Sequence, residues 1–199
     1  AGMVIAPWTR PEALRSWRFW SIALPFALAL MAQAGFLVHE IAMLEPSLGR
    51  PQAGAAVALT TAMAIVGRLT LGLVIDRLDQ RIVTAASLAT QVAALAVMAW
   101  TREALPLFIA VAVFGFSVGN LITFPALIVQ REFEPASFGM LAALVSSLWQ
   151  IGASTGPLLL GAIHDLAGSY TAPIFVCAAL DLAAAMVILM RPRVTAQKT

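Results

Sequence analysis

Arg68 is a permanent cation inside an otherwise uncharged run from Ala53 to Ile75. A guanidinium presents a planar fork that meets a carboxylate through two parallel hydrogen bonds, and it keeps its proton at any working pH. Ser146, Gln150 and Ser154 form a second set, because successive i+4 spacing places three hydrogen-bonding groups on one helix face beside Trp149. Gln33 and Asn120 are two further amides within apolar runs. Arg68, Gln33, Asn120, Ser146, Gln150 and Ser154 are therefore the expected contacts for a small bound anion. Two structural uses compete with this: hydrogen bonds between helices for the amides and hydroxyls, and an ion pair for Arg68 with Asp181 as candidate partner. Asp181, in the middle of another apolar run, is also a candidate protonation site.

The rest of the titratable inventory is sparse. Two histidines, His39 and His164, and one cysteine, Cys177, provide no Cys/His cluster for a metal and no intrachain disulfide. No apolar run contains an acid, base and nucleophile at workable spacing, so neither catalytic residues nor a cofactor are expected. The isoelectric point near 9.3 does not indicate a nucleic-acid partner, because the arginines are spread along the chain and form no basic stripe. His39 and His164 are expected to be solvated near span ends, and Cys177 to be a small packing residue.

The chain has 199 residues, of which 61% are hydrophobic and only 11% charged, too few polar groups to cover a water-soluble surface. A helix crossing about 30 Å of hydrocarbon needs roughly 20 apolar residues, and six such spans follow one another: about 19–38, 53–75, 82–100, 104–129, 136–163 and 172–190. The fourth is interrupted by Gly115, Gly119 and Pro125. Backbone groups in lipid must be satisfied within the segment, so the expected fold is an all-α membrane protein. Arg68 lies eight residues before Asp76, about 12 Å along a helix and hence near mid-membrane, where an arginine costs at least about 2.5–3.5 kcal/mol. Residues 1–18 form a lead in which Thr9 and Glu12 stand at capping-box spacing and Trp8, Trp17 and Trp20 suit an interfacial belt. Nine Lys and Arg fall in connections and ends on one side (Arg10, Arg15, Arg18, Arg77, Arg81, Arg131, Arg191, Arg193, Lys198), against Arg50 and Arg102 on the other. This places both termini, including a tail at 191–199, in the cytoplasm.

Residues 67–76 (GRLTLGLVID) align with residues 156–165 (GPLLLGAIHD) at five identical positions. The two segments are three spans apart, and an odd number of helices reverses direction, giving an inverted three-plus-three repeat. Gly67, Gly152, Gly156, Pro157 and Gly161 are expected at close helix crossings, and Gly72 with them.

The run from Gly72 through Asp76, Arg77 and Asp79 to Arg81 resembles the G-x-x-x-D-R-x-G-R-[RK] loop signature of the major facilitator superfamily, with Asp79 where the pattern has glycine. Gly152, Gly156-Pro157, Gly161 and Asp165 look like the eleventh helix of that family. The arginine before Gly72 is similar to that of the monocarboxylate and oxalate:formate antiporter branch, although Ala64 stands where an aspartate accompanies proton coupling and no lysine follows in the fifth span. The resemblance implies the C-terminal six helices of a twelve-helix bacterial inner or plasma membrane carrier, completed by an N-terminal half or a second copy. The implied activity is alternating-access transport of a small organic anion, a monocarboxylate. The alternatives are an exporter of neutral or cationic compounds and a six-helix module without transport. In this reading Gly72, Asp76, Arg77 and Arg81 act as a gate latch, making charge-assisted bonds in one state and losing them in the other. Asp76→Asn is accordingly expected to slow turnover without altering substrate preference in a flux assay; an unchanged rate would remove the latch.

Overall fold

The computed structural model describes residues 7–191. Its helices are α1 (Arg10–Arg15), α2 (Trp17–Leu48), α3 (Arg50–Gly72), α4 (Gln80–Trp100), α5 (Ala104–Leu121), α6 (Phe124–Glu132), α7 (Phe138–Ala167) and α8 (Thr171–Leu189). Short 3-10 turns at Ile75–Arg77 and Pro135–Ser137 lead into α4 and α7. Six helices, all but α1 and α6, are long and apolar enough to cross a membrane. In the lead, the Glu12 carboxylate accepts both the backbone N–H and the hydroxyl of Thr9 at 2.7 Å. Residues 1–6 and most of the expected tail lie outside the described residues.

Three spans differ from the hydropathy reading. α2 continues past Val38 to Leu48, because Glu40 turns into the bundle instead of ending the helix. α3 stops at Gly72, before Ile75. The fourth span is two helices: Pro125 has no N–H to give to Leu121, and Thr123 donates to the Asn120 carbonyl at 3.1 Å in place of Gly119.

α2 packs most extensively on α7 and α8, α3 on α5, and α4 on α8 and α5. Exchanging α2, α3 and α4 for α5, α7 and α8 maps this pattern onto itself, as an inverted repeat requires. The repeat glycines show the same correspondence. A Cβ on Gly67 of α3 would lie 2.0 Å from the Phe116 carbonyl oxygen on α5, and one on Gly156 of α7 would lie 2.1 Å from that of Met31 on α2. Gly152 meets α2 and Gly115 and Gly119 meet α3 in the same way.

Two expected crossings are corrected. A Cβ on Gly161 would touch only the His39 ring at 3.7 Å, and nothing lies within 4 Å of one on Gly72, because α7 and α3 have diverged from their partners there. Pro157 contributes through its carbonyl, 3.1 Å from His39 Nε2. Apolar side chains fill the space on either side of the crossings, around Phe19, Phe26, Leu88 and Ile128 toward one end and Phe36, Leu95, Leu107 and Phe114 toward the other.

Gly67→Ala and Gly156→Ala are expected to lower stability in detergent by about 1–3 kcal/mol or more through forced separation of the backbones. Gly72→Ala should stay within about 0.5 kcal/mol of the parent in the same thermal-unfolding measurement.

Candidate functional site

α3 and α7 occupy matching places in the repeat and are the most open helices, with only 17% and 22% of their most apolar windows buried. Both expose polar groups, α3 one turn from its C-terminal end and α7 in mid-helix. Arg68, Ser146, Gln150 and Ser154 are all exposed, with Trp149 half-buried beside them. Ser154 returns its hydroxyl to the Ile151 carbonyl, whereas Ser146 and Gln150 make no side-chain hydrogen bond among the described residues. Gln33 and Asn120 are buried inside the bundle, at 3% and 2% exposure, and Asn120 donates to the Phe116 carbonyl of its own helix. The structure thus brings four of the six expected contacts to open faces and leaves two in the interior.

The break between α5 and α6 positions Arg68. Once Thr123 bonds to Asn120, the Gly119 carbonyl has lost that helical donor, and Arg68 Nε donates to it at 2.9 Å. A cation at a helix C-terminus also meets the negative end of the helix dipole. Neither Nη of Arg68 hydrogen-bonds to a described residue. The alternative ion pair with Asp181 is not formed: Asp181 is 1% exposed on α8, which packs on α2 and α4, and neither of its oxygens has a hydrogen-bond partner among the described residues.

The loop after α3 forms a second centre. Arg81 is 3% exposed and its fork grips the Glu132 carboxylate, Nε to Oε1 at 2.5 Å and Nη2 to Oε2 at 2.9 Å. The same guanidinium donates to Ser21 Oγ at 2.9 Å and to the Ile188 carbonyl at 2.9 Å, so one side chain ties α4 to α6, α2 and α8. Asp79 caps α4 through the N–H groups of Arg81 and Ile82 and pairs with Arg191. Arg131 donates to the Leu78 carbonyl at 3.0 Å, and Arg18 lies over the Phe133 ring. The expected latch is therefore divided: Arg81 is locked inside the bundle, Arg77 is exposed, and the side chain of Asp76 lies outside the described residues.

At the opposite end His39 and His164 converge on Tyr170 and are only half-buried, not free in solvent. His39 Nε2 donates to the Pro157 carbonyl, which leaves Nδ1 to accept from the Tyr170 hydroxyl at 3.3 Å in the neutral ring. The His164 ring stacks on Tyr170. Cys177 packs with its thiol 3.5 Å from the Ala32 carbonyl.

Ser21, Glu40, Thr60 and Glu132 are among the polar residues that sequence reasoning did not single out. Their signal was faint: Glu40 follows Gln33 at i+7, and Glu132 stands at the close of an apolar run.

A bundle of six spanning helices, repeated in inverted order and opening polar faces on two symmetry-matched helices, defines an integral membrane protein of the carrier type. The family model of the Major Facilitator Superfamily matches residues 16–199, and the chain belongs to that superfamily of membrane transporters. No match to a curated protein narrows the assignment further.

Partial burial opposes the charge on Asp79, but the hydrogen bond from Arg191, the N–H groups of Ile82 and Arg81, and the Arg191 charge outweigh it and hold its carboxyl below the usual carboxylate range. A carboxyl depressed in the folded state contributes stability above its unfolded value, and that contribution disappears as pH falls through the folded value. Asp79→Asn should therefore destabilise the protein at neutral pH, and the gap to the parent should close in acid below the ordinary carboxylate range, read by thermal unfolding at stepped pH.

Proposed function

We propose that the protein is a secondary carrier for a small organic anion, a monocarboxylate, with Arg68 as the residue that receives the carboxylate. One observation carries this reading: a guanidinium one turn inside the C-terminal end of α3 stands on an open helix face, with its two Nη groups uncommitted among the described residues and no carboxylate paired to it. Such a group needs a water-filled cavity or an anionic partner. Ser146, Gln150 and Ser154 on the open face of α7 supply further donors for the rest of the ligand. Gln33 and Asn120 enter this reading only if helix movement uncovers them. The exposed polar faces of α3 and α7 support a second six-helix unit, an N-terminal half or another copy, closing the cavity.

Arg18, Arg81, Arg131 and Arg191 gather at one end of the bundle through the contacts above, which supports an orientation with that end and both termini in the cytoplasm of a bacterial cell. The bond from Arg68 to Gly119 favours one second reading, a carrier of neutral or cationic compounds in which Arg68 only caps α5.

Counterflow of radiolabelled lactate separates the two in vesicles from membranes that hold the protein. Arg68→Gln should lower uptake at least tenfold, about 1.4 kcal/mol, and Arg68→Lys should rescue it only in part, since an ammonium lacks the fork. Full transport by both variants overturns the anion reading.

A further inference from the structure

We infer that Glu40 is a reversible proton-binding site at the crossing of α2 and α3 and that its proton is coupled to transport. Glu40 is fully buried, although it is carried on a membrane-spanning helix. Its Oε1 hydrogen-bonds with Thr60 Oγ1 of α3, and the same hydroxyl oxygen lies 3.2 Å from the Ala56 carbonyl one turn earlier. A hydroxyl has one hydrogen and a carbonyl only accepts, so the arrangement has two complete solutions. With the carboxylate ionised, Thr60 donates to Glu40 and the Ala56 bond lapses. With a proton on the carboxyl, Glu40 donates to Thr60 and Thr60 passes its own hydrogen to Ala56. The heavy atoms fit both states, and taking up a proton only redirects hydrogens along the chain from Glu40 through Thr60 to Ala56.

The second oxygen decides which state belongs to the packed crossing. Glu40 Oε2 is buried without a hydrogen-bond partner among the described residues. Ionised, it would hold negative charge in an apolar interior with nothing to compensate it. The protonated form fits the closed crossing, and loss of the proton drives α2 and α3 apart.

The titratable groups on the helices packed against α2 do not engage Glu40: on α7 His164 lies against Asp165 and stacks on Tyr170, and on α8 Cys177 meets the Ala32 carbonyl and the buried Asp181 has no hydrogen-bond partner among the described residues. α3 carries charge only at Arg50 and Arg68, to either side of Thr60, and α5, which meets Thr60 through Gly115, carries none. On α2 itself His39 is engaged with Pro157 and Tyr170, and Glu45 is exposed near the helix end. Among the described residues Glu40 is in no ion pair. The link to transport is mechanical: Thr60 and Arg68 share one helix, so a change in how α3 seats on α2 moves the guanidinium. The inference rests on the carrier reading and not on the charge of the substrate.

Infrared difference spectroscopy on the protein in membranes, with pH stepped from acid to alkaline, tests the site directly. A protonated-carboxyl C=O band should disappear on the alkaline step, be absent in Glu40→Gln, survive in Asp181→Asn, and move to higher frequency in Thr60→Val, where the bond to the hydroxyl is gone. A band that survives in Glu40→Gln, vanishes in Asp181→Asn, or does not move in Thr60→Val overturns the assignment; Thr60→Val decides alone if Glu40→Gln does not fold. Coupling is read as the external alkalinisation that accompanies radiolabelled lactate uptake into vesicles. Glu40→Gln should reduce it at least tenfold relative to lactate moved, and an unchanged ratio overturns coupling. If the parent moves no lactate, the anion reading fails and the infrared result still decides the site.

Discussion

Helices in a bilayer gain nothing by hiding apolar surface from one another, since lipid tails are as apolar as leucine. What holds this bundle is backbone contact, made where a glycine on one helix lies against a carbonyl of the next. Gly152 and Gly156 bring α7 onto α2, and Gly67, Gly115 and Gly119 bring α3 and α5 together. These two crossings are equivalent under the repeat, so one solution to the packing problem is used twice. The remaining geometry follows from them: the open faces of α3 and α7 point away from the crossings, and the groups they expose are the ones available to a ligand.

Much of this was legible in the sequence because hydropathy and small residues are local signals. The six spans, the paired glycines at positions 67 and 156, and the end where arginines collect all follow from composition and spacing. Features that depend on a buried polar group or on the angle at which two helices cross were misplaced. Hydropathy ended the first span at Val38 because a carboxylate looks like a boundary, whereas Glu40 is internal and held by Thr60. Gly72 and Gly161 match in the alignment but not in space, since helices that cross at an angle touch over a few turns only. Of the candidate site, the exposed members on α7 were legible from i+4 spacing. The interior placement of Gln33 and Asn120 was not, because it depends on which neighbour each helix face meets.

Arg77 and Arg81 show the same limit. Both count alike toward orientation, yet one is exposed and the other sits among four helices. A planar guanidinium with five donors can satisfy a carboxylate, a hydroxyl and a carbonyl at once. It makes the α2 N-terminal end of the bundle a single cross-linked platform. Among the described residues, the polar contacts singled out at the opposite end are the lighter ones of His39, His164 and Tyr170. The two ends of one half are thus unequally cross-linked, a property that an inverted repeat alone would not produce.

The break at Ile122–Thr123 has no counterpart in α2, which runs unbroken for 32 residues. It turns the fourth span into two rods joined at an elbow. The lower rod, α6, is anchored to the platform by Glu132, and the upper rod, α5, is anchored to α3 by its glycines. Arg68 is the pin through the elbow, since its bond to Gly119 caps the upper rod just above the bend. Anything that draws the guanidinium outward withdraws the pin. If Arg68 receives the carboxylate as proposed, capture of the ligand and bending of this span become one event, written in a single hydrogen bond.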